Sequence, residues 1–130
     1  MDVAKTMVVV VRKAPYGTID AGEAIRHANG GLSFGVPTTL LLAEDGVFVA
    51  RRDQRGEEIG YVSLSRALED YLARRGRGPD GREIEGRLVV HGTSLRDRGL
   101  RPEDLVPRAQ VAEDAEVAQL LAHSDGTLVY

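Results

Sequence analysis

The chain has 130 residues, no cysteine, a formal net charge of −3 and an apolar content of 42%. Its length fits a single domain over residues 1–130, its acidic balance argues against a general nucleic-acid binder, and the absence of cysteine excludes disulfides and thiolate metal sites. No apolar run approaches the ~20 residues that cross a bilayer, and the N-terminus lacks the pattern of a signal peptide. We therefore expect a cytoplasmic protein with no membrane contact.

The beginning of the chain predicts a buried strand followed by a helix. Lys5 to Val11 predicts the strand, because its apolar residues are continuous rather than alternating, as in a parallel strand buried on both faces. A turn over residues 14–18 follows. We expect the first helix to begin at Asp20, where Glu23 forms a capping-box-like pair with it, and to end at Asn29-Gly30-Gly31.

A second apolar strand is expected at Thr38 to Ala43, ended by Glu44-Asp45-Gly46. Two carboxylates at a strand end can bind a metal, but the sequence brings no further ligands to them, so we expect a solvated turn and no metal. The apolar segment Val47 to Ala50 is expected to be a short helix or strand that contacts another subunit. Arg51 to Gly60 predicts a charged, solvated loop.

The most regular helical pattern begins near Ser63. Its apolar residues recur with the spacing of one helix face and are Leu64, Ala67, Leu68, Tyr71 and Leu72. Arg74 to Arg82, rich in arginine and glycine, then predicts a flexible basic loop. Contact with RNA is one hypothesis for this loop, but it lacks the aromatic residues on which single-stranded bases stack. We therefore do not expect nucleic acid as a partner.

The stretch LVVHGTSLRDRGL, residues 88–100, predicts a strand, a tight turn and a helix. Leu88 to Val90 is the strand, His91-Gly92-Thr93 the turn, and Ser94 to Arg98 the helix, stopped by Gly99. Thr93 is the expected N-cap of that helix. The alternative interpretation is a strand that ends in a surface histidine, with a glycine that eases the turn.

The last third of the chain predicts two more strands around one helix. A short strand is expected around Ala109-Gln110-Val111, a helix from Asp114 to Ala122, and a final strand from Thr127 to Tyr130. Five strands that alternate with helices predict a three-layer α/β/α fold with a mainly parallel sheet. The glycine-rich motifs that bind dinucleotides or nucleoside triphosphates are missing from the sequence, so we expect no cofactor.

Several short segments occur in the order found in one known family. They are Ala14 to Thr18 after the first strand, Glu44 to Phe48 after the second, Ser94 to Leu100 after the third, and the apolar strand at Thr127 to Tyr130. Together they resemble the DsrE/DsrF-like family of sulfur-relay proteins, which includes the TusC and TusD proteins. The resemblance implies the α/β fold above and an assembly: a homo-oligomer, as a trimer or hexamer, or a hetero-assembly.

The chain departs from that family at one position. In sulfur-carrying members a cysteine ends the third strand, and the corresponding position here is His91, eight residues before Gly99. A persulfide carrier needs a thiolate, so this chain alone cannot carry persulfide sulfur. By analogy with TusC/DsrF-type subunits, the resemblance implies a non-catalytic structural or binding subunit that supports a cysteine-bearing relative.

Three strand ends carry turn residues, and in a parallel sheet they meet at one edge, where such folds bind ligands. The candidate binding residues at this edge are Tyr16, Gly17, Asp45, His91, Gly92 and Thr93. His91 is the group among them that titrates near neutral pH, and Asp45 is its expected orienting partner. The alternative function is therefore a small-molecule or anion-binding enzyme that uses His91. For Tyr16, covering the start of a helix is the second interpretation.

Overall fold

The computed structural model describes residues 5–130. The strands of this range are β1 Met7–Val11, β2 Thr38–Leu42, β3 Arg75–Arg77, β4 Glu83–Glu85, β5 Arg87–His91, β6 Ala109–Ala112 and β7 Gly126–Val129. Its α-helices are α1 Asp20–Ser33, α2 Leu64–Ala73, α3 Gly92–Asp97 and α4 Asp114–His123. Short 3₁₀ helices cover Glu44–Ala50, Gly56–Ile59 and Pro102–Asp104.

Five of the strands form one sheet in the order β6-β5-β2-β1-β7. All four neighbouring pairs of this sheet are parallel. The predicted α/β fold with a parallel sheet of about five strands is therefore confirmed. The continuous apolar runs of β1 and β2 suit this arrangement because the central strands of a parallel sheet are buried on both faces.

Alternate residues of the strands divide the interior into two layers. One face of the sheet packs on α1, α2 and the 3₁₀ helix Glu44–Ala50 and contributes Val9, Val11, Leu40, Leu42, Leu88 and Val90. The other face contributes Val8, Val10, Leu41 and Val89 and packs on Val117 and Leu120 of α4. The fold is a three-layer α/β/α sandwich, as expected. None of the helices in residues 5–130 has the length and hydropathy needed to cross a membrane.

Helix α1 begins at Asp20 as expected, but it passes through Asn29-Gly30-Gly31 and ends at Ser33. Gly31 serves packing rather than helix termination, because a Cβ atom there would collide with the side chains of Thr38 and Met7. The expected capping box is also wrong. Asp20 does not cap the helix, and the Glu23 carboxylate pairs with Arg26 at 2.5 Å.

The predicted flexible basic loop at Arg74 to Arg82 is wrong. Its first part pairs with residues 83–85 as the antiparallel hairpin β3–β4. Arg75 lies 3.2 Å from the carboxylate of Glu83 and 3.1 Å from that of Glu85. These cross-strand pairs neutralise part of the positive charge on which the RNA hypothesis depended.

The expected subunit contact at Val47 to Ala50 is contradicted as well. Val47, Val49 and Ala50 are fully buried in the core of their own chain. They form part of the 3₁₀ helix Glu44–Ala50, which packs closely on the end of β1. Gly46 permits this approach, because a Cβ atom there would strike the carbonyl oxygen of Val11.

Candidate functional site

The carboxyl ends of β1, β2, β5 and β6 lie side by side along one edge of the sheet. Val11 is in register with Leu42, Leu42 with Val90, and His91 with Ala112. The predicted shared edge is therefore present. It also includes the end of β6. Because α4 follows β6 directly, its first residues lie next to the end of β5.

His91 lies at this edge with its side chain 20% exposed and both ring nitrogens hydrogen-bonded. Its Nε2 atom is 2.6 Å from Oδ1 of Asp114, and its Nδ1 atom is 2.7 Å from Oγ of Ser94. A carboxylate only accepts hydrogen bonds, so this pattern assigns the ring proton to Nε2 and makes Nδ1 the acceptor of the Ser94 hydroxyl. The histidine is thus fixed between a serine and an aspartate.

The same chain of hydrogen bonds continues into the 3₁₀ helix Glu44–Ala50. The backbone N–H of Glu44 donates to Oγ of Ser94 at 2.9 Å. Ser94 itself is buried. The donors therefore run in one direction, from Glu44 through Ser94 and His91 to Asp114, and each group has a partner. We call these four residues the His91 network.

Asp114 and not the expected Asp45 orients the histidine. Asp45 forms an ion pair with Arg98 at 2.9 Å instead. Asp114 also accepts a hydrogen bond from the hydroxyl of Thr93 at 3.2 Å. The hydrogen bonds from His91 and then Thr93 lower the pKa of the Asp114 carboxyl below its ordinary value.

Thr93 is not the N-cap that the sequence predicted. Helix α3 begins at Gly92, two residues before the expected start at Ser94, and His91 occupies the cap position. Gly92 is buried where the first turn of α4 approaches, and a Cβ atom there would collide with the carboxylate of Glu113. That carboxylate pairs with Arg96 at 2.6 Å, and the hydrogen bond from Arg96 lowers the pKa of Glu113. The two residues after His91 therefore lie against the first residues of α4.

Tyr16 belongs to a separate cluster at the same edge. Its hydroxyl donates to Oε1 of Gln54 at 2.5 Å and accepts the backbone N–H of Leu64 at 2.9 Å. It therefore covers the start of α2 rather than that of α1. The backbone of Tyr16 has a φ of 70°, and the adjacent Gly17 is exposed.

The six expected residues do not converge on one cavity. A cavity of about 910 Å³ lies beside α2, lined among others by Gln54, Tyr61 and Arg66, and it includes none of the six. The described residues 5–130 also hold no group of three or more histidine and carboxylate side chains arranged for a metal. The residues missed by sequence reasoning are Ser94, Asp114 and Gln54.

The His91 network holds the histidine ring by both of its nitrogens. The network joins the end of β5 to α4 on one face of the sheet and to the 3₁₀ helix Glu44–Ala50 on the other.

Proteins similar to this chain extend over nearly its whole length. The intracellular sulfur oxidation protein DsrF of Allochromatium vinosum is 32% identical, with 99% of this chain and 98% of that protein covered. The TusC homolog of Pseudomonas aeruginosa is 28% identical over 94% of this chain and 95% of that protein. An uncharacterized protein of Methanocaldococcus jannaschii is also 28% identical, over 94% and 96%.

A solved structure shares the fold of this chain. The crystal structure of the Escherichia coli ychN protein superposes with a TM-score of 0.80 at 20% identity, covering 97% of this chain and 99% of that one. No family model matches the sequence. The identity with DsrF is nonetheless high enough, over enough of both chains, to establish kinship. The chain belongs to the DsrE/DsrF-like family.

Proposed function

We propose that this chain is a cytoplasmic, non-catalytic subunit of a sulfur-relay assembly that binds a cysteine-bearing relative. One observation carries the proposal. At the end of β5, where the family resemblance places the reactive cysteine of sulfur-carrying members, this chain has His91 with both nitrogens engaged. The relationship to DsrF, named as an intracellular sulfur oxidation protein, supports the sulfur context.

Sulfur chemistry explains why the partner is needed. Carrying persulfide sulfur requires a thiolate that attacks a sulfur atom and holds it through an S–S bond. This chain has no cysteine, and an imidazole nitrogen does not replace the thiolate. In the proposed assembly the reactive cysteine therefore belongs to the other subunit, and this chain contributes a binding surface.

An exposed apolar cluster supports a protein partner on this side of the molecule. Ile59 and Val62 are both exposed and flank Tyr61, whose ring meets that of Tyr16 edge-on at 5.8 Å. Apolar side chains grouped on a surface indicate contact with another protein. The cluster adjoins the Tyr16 contacts at the carboxyl edge of the sheet.

The test is co-expression with a cysteine-bearing family member from the same genome, followed by native mass spectrometry and transfer of labelled persulfide sulfur. We expect a stable complex in which label resides on the partner's cysteine and none on this chain. Val62→Glu, at a position 61% exposed, should abolish the complex. Phe34→Glu, at a position 89% exposed beyond the far end of α1, is the matched control and should leave it intact.

Failure of this chain to bind any cysteine-bearing relative would contradict the proposal. Equal loss of complex in both variants would contradict the placement of the binding surface at Val62.

The second candidate is a small-molecule or anion-binding enzyme that uses His91. The order Asp114, His91, Ser94 favours it, because a carboxylate, an imidazole and a hydroxyl in series activate serine in hydrolases. Against it, Ser94 is buried and its oxygen already accepts the Glu44 amide. His91→Ala separates the two functions: it should leave the complex intact, whereas loss of a turnover or of ligand binding would favour the enzyme.

A further inference from the structure

Strand β7 ends the sheet next to β1, and no other strand of residues 5–130 borders it. The N–H of Gly126 donates to the carbonyl of Thr6, and the N–H of Tyr130 donates to the carbonyl of Val10. Because backbone groups alternate along a strand, residues 126, 128 and 130 face β1. Thr127 and Val129 therefore direct their N–H and C=O groups away from the sheet.

The outer edge of β7 is apolar as well as unpaired. Leu128 is 41% exposed and Val129 is 59% exposed. Natural edge strands are usually protected by charges, prolines or bulges, but the sequence Gly-Thr-Leu-Val of β7 contains neither charge nor proline. This edge has the composition of a strand that pairs.

Both ends of β7 are anchored, so the edge is held in place. At its start, Asp125 accepts the backbone N–H of Thr6 at 2.8 Å. Just after its end, the hydroxyl of Tyr130 is hydrogen-bonded to Nδ1 of His27 on α1. The backbone N–H of Arg12 also donates to the carbonyl of Tyr130 at 2.9 Å.

We propose that β7 pairs antiparallel with β7 of a second copy of this chain across a two-fold axis. With the axis at Leu128, Thr127 of each copy lies opposite Val129 of the other. These are the residues with outward N–H and C=O groups, so each pair exchanges two hydrogen bonds. The strand is therefore complementary to itself in this register, which is why a second copy is the occupant.

The side chains fit the same register. Leu128 lies opposite its own copy as a non-hydrogen-bonded pair, with the two Cα atoms about 4.5 Å apart. It is in register with Val9, on the α1 side of the sheet, whereas Val129 is in register with Val10, on the α4 side. Pairing thus covers apolar groups on both faces and joins two five-stranded sheets into one. The surface is separate from the one around Val62, so the inference goes beyond the proposed function.

The absence of cysteine allows a direct test, because any introduced thiol is the only one. Disulfides form when Cα atoms lie about 4.4–6.8 Å apart. Under mild oxidation of the full chain with copper phenanthroline, Leu128→Cys should become a covalent dimer in large part. In this register Thr127 lies opposite Val129, so the two copies of Thr127 are diagonal to each other and their Cα atoms are more than ~7 Å apart, beyond the limit for a disulfide. Thr127→Cys should therefore crosslink several-fold less. Phe34→Cys, at the exposed position that follows α1, measures random collision.

Crosslinking of Leu128→Cys no faster than that of Phe34→Cys would overturn the pairing. Crosslinking of Leu128→Cys exclusively to a different protein in a cell lysate would overturn it too, because the occupant would then not be a second copy. A Thr127→Cys rate equal to that of Leu128→Cys would overturn the proposed register.

A charge exchange tests the same contact without a covalent bond. Leu128→Lys and Leu128→Glu each place like charges opposite each other, so sedimentation should show half the assembly mass in each variant. Mixing the two variants should restore the full mass, since opposite charges then meet. Phe34→Lys is the control for added charge, and circular dichroism monitors folding. Unchanged mass in both variants, or a mixture with half the mass, would overturn the proposal.

Discussion

The two edges of the sheet are built differently. Strand β6 follows Pro107 and Arg108. The backbone of Arg108 has a φ of 73°, and its guanidinium donates a hydrogen bond to the carbonyl of Leu72 at 2.5 Å. Gln110 of β6 accepts a hydrogen bond from Arg87 at 3.1 Å. Neither strand contains a proline or a charged residue, but all four residues of β7 are exposed, whereas three of the four in β6 are buried or half-buried. We call β6 the protected edge and β7 the presented edge.

The difference indicates where an assembly can extend. A protected edge limits uncontrolled pairing of strands, so we expect the sheet to extend past β7 rather than past β6. The His91 network lies near the protected edge, which leaves the candidate site and the presented edge on separate parts of the molecule. Substitutions on the two sides should therefore have separable effects.

The largest expected effect is on the protected side, at Tyr71. Its ring is fully buried, and its hydroxyl contacts the carbonyls of Thr38 and Arg87, each at 3.0 Å. Tyr71→Ala should lower the free energy of unfolding by about 3–5 kcal/mol through the cavity and the lost hydrogen bonds, measured by urea denaturation. Tyr71→Phe, which keeps the ring, should cost about 1–2 kcal/mol. Equal costs would contradict the assignment of most of the stability to the ring.

The second largest effect on the free energy of unfolding is expected at the His91 network. His91→Ala removes two hydrogen bonds of a mostly buried ring and should lower the free energy of unfolding by about 1–2 kcal/mol. Hydrogen exchange should increase in α4 and in the segment Glu44–Ala50, which the network joins, and not in β7. Faster exchange at β7 instead would show that the two sides are not independent.

Acid should weaken the His91 network. The pKa of Asp114 is lower in the folded chain than in the unfolded one, so its stabilising contribution is fully present above the unfolded pKa of about 4. That contribution is lost as the pH falls through the lowered folded pKa. Urea midpoints measured from pH 6 to pH 2 should fall less steeply for Asp114→Asn than for the natural chain. Parallel slopes would contradict the role of Asp114.

The smallest effect on folding is expected at the presented edge. Val129→Pro removes an outward N–H that β1 does not use, so the free energy of unfolding should change by no more than about 0.5 kcal/mol. Leu128→Pro is the matched control, because its N–H faces β1 and its loss breaks the sheet. The two unfolding curves, recorded at a protein concentration low enough to avoid association, should differ clearly. Equal destabilisation would contradict the assignment of outward groups.

The sheet and its helices could be predicted because their signals are local. Continuous apolar runs such as residues 7–11 indicate strands buried on both faces, whatever their neighbours are. The hairpin at Arg75–Arg77 could not be predicted in this way, since its strands are short and polar. They are held by pairs such as Arg75 with Glu83, and those depend on a cross-strand register that the sequence does not state.

The candidate site was predicted in part for the same reason. Its location at the carboxyl edge and the position of His91 follow from the strand pattern. Asp114 could not be assigned, because its approach to His91 requires that β6 lies next to β5, which is a matter of strand order. The prediction that the helix ends at Gly31 is wrong because this glycine is needed for a tertiary contact. It leaves room for the side chains of Thr38 and Met7, which are not its neighbours in the sequence.

The His91 network has a mechanical consequence for the sandwich. Asp114 begins the helix that covers one face of the sheet, and Glu44 begins the 3₁₀ helix that covers the other. The hydrogen bonds through Ser94 and His91 pass around the sheet edge and connect these two outer layers directly. The two outer layers are therefore joined by side-chain and backbone hydrogen bonds at this edge as well as by their packing on the sheet.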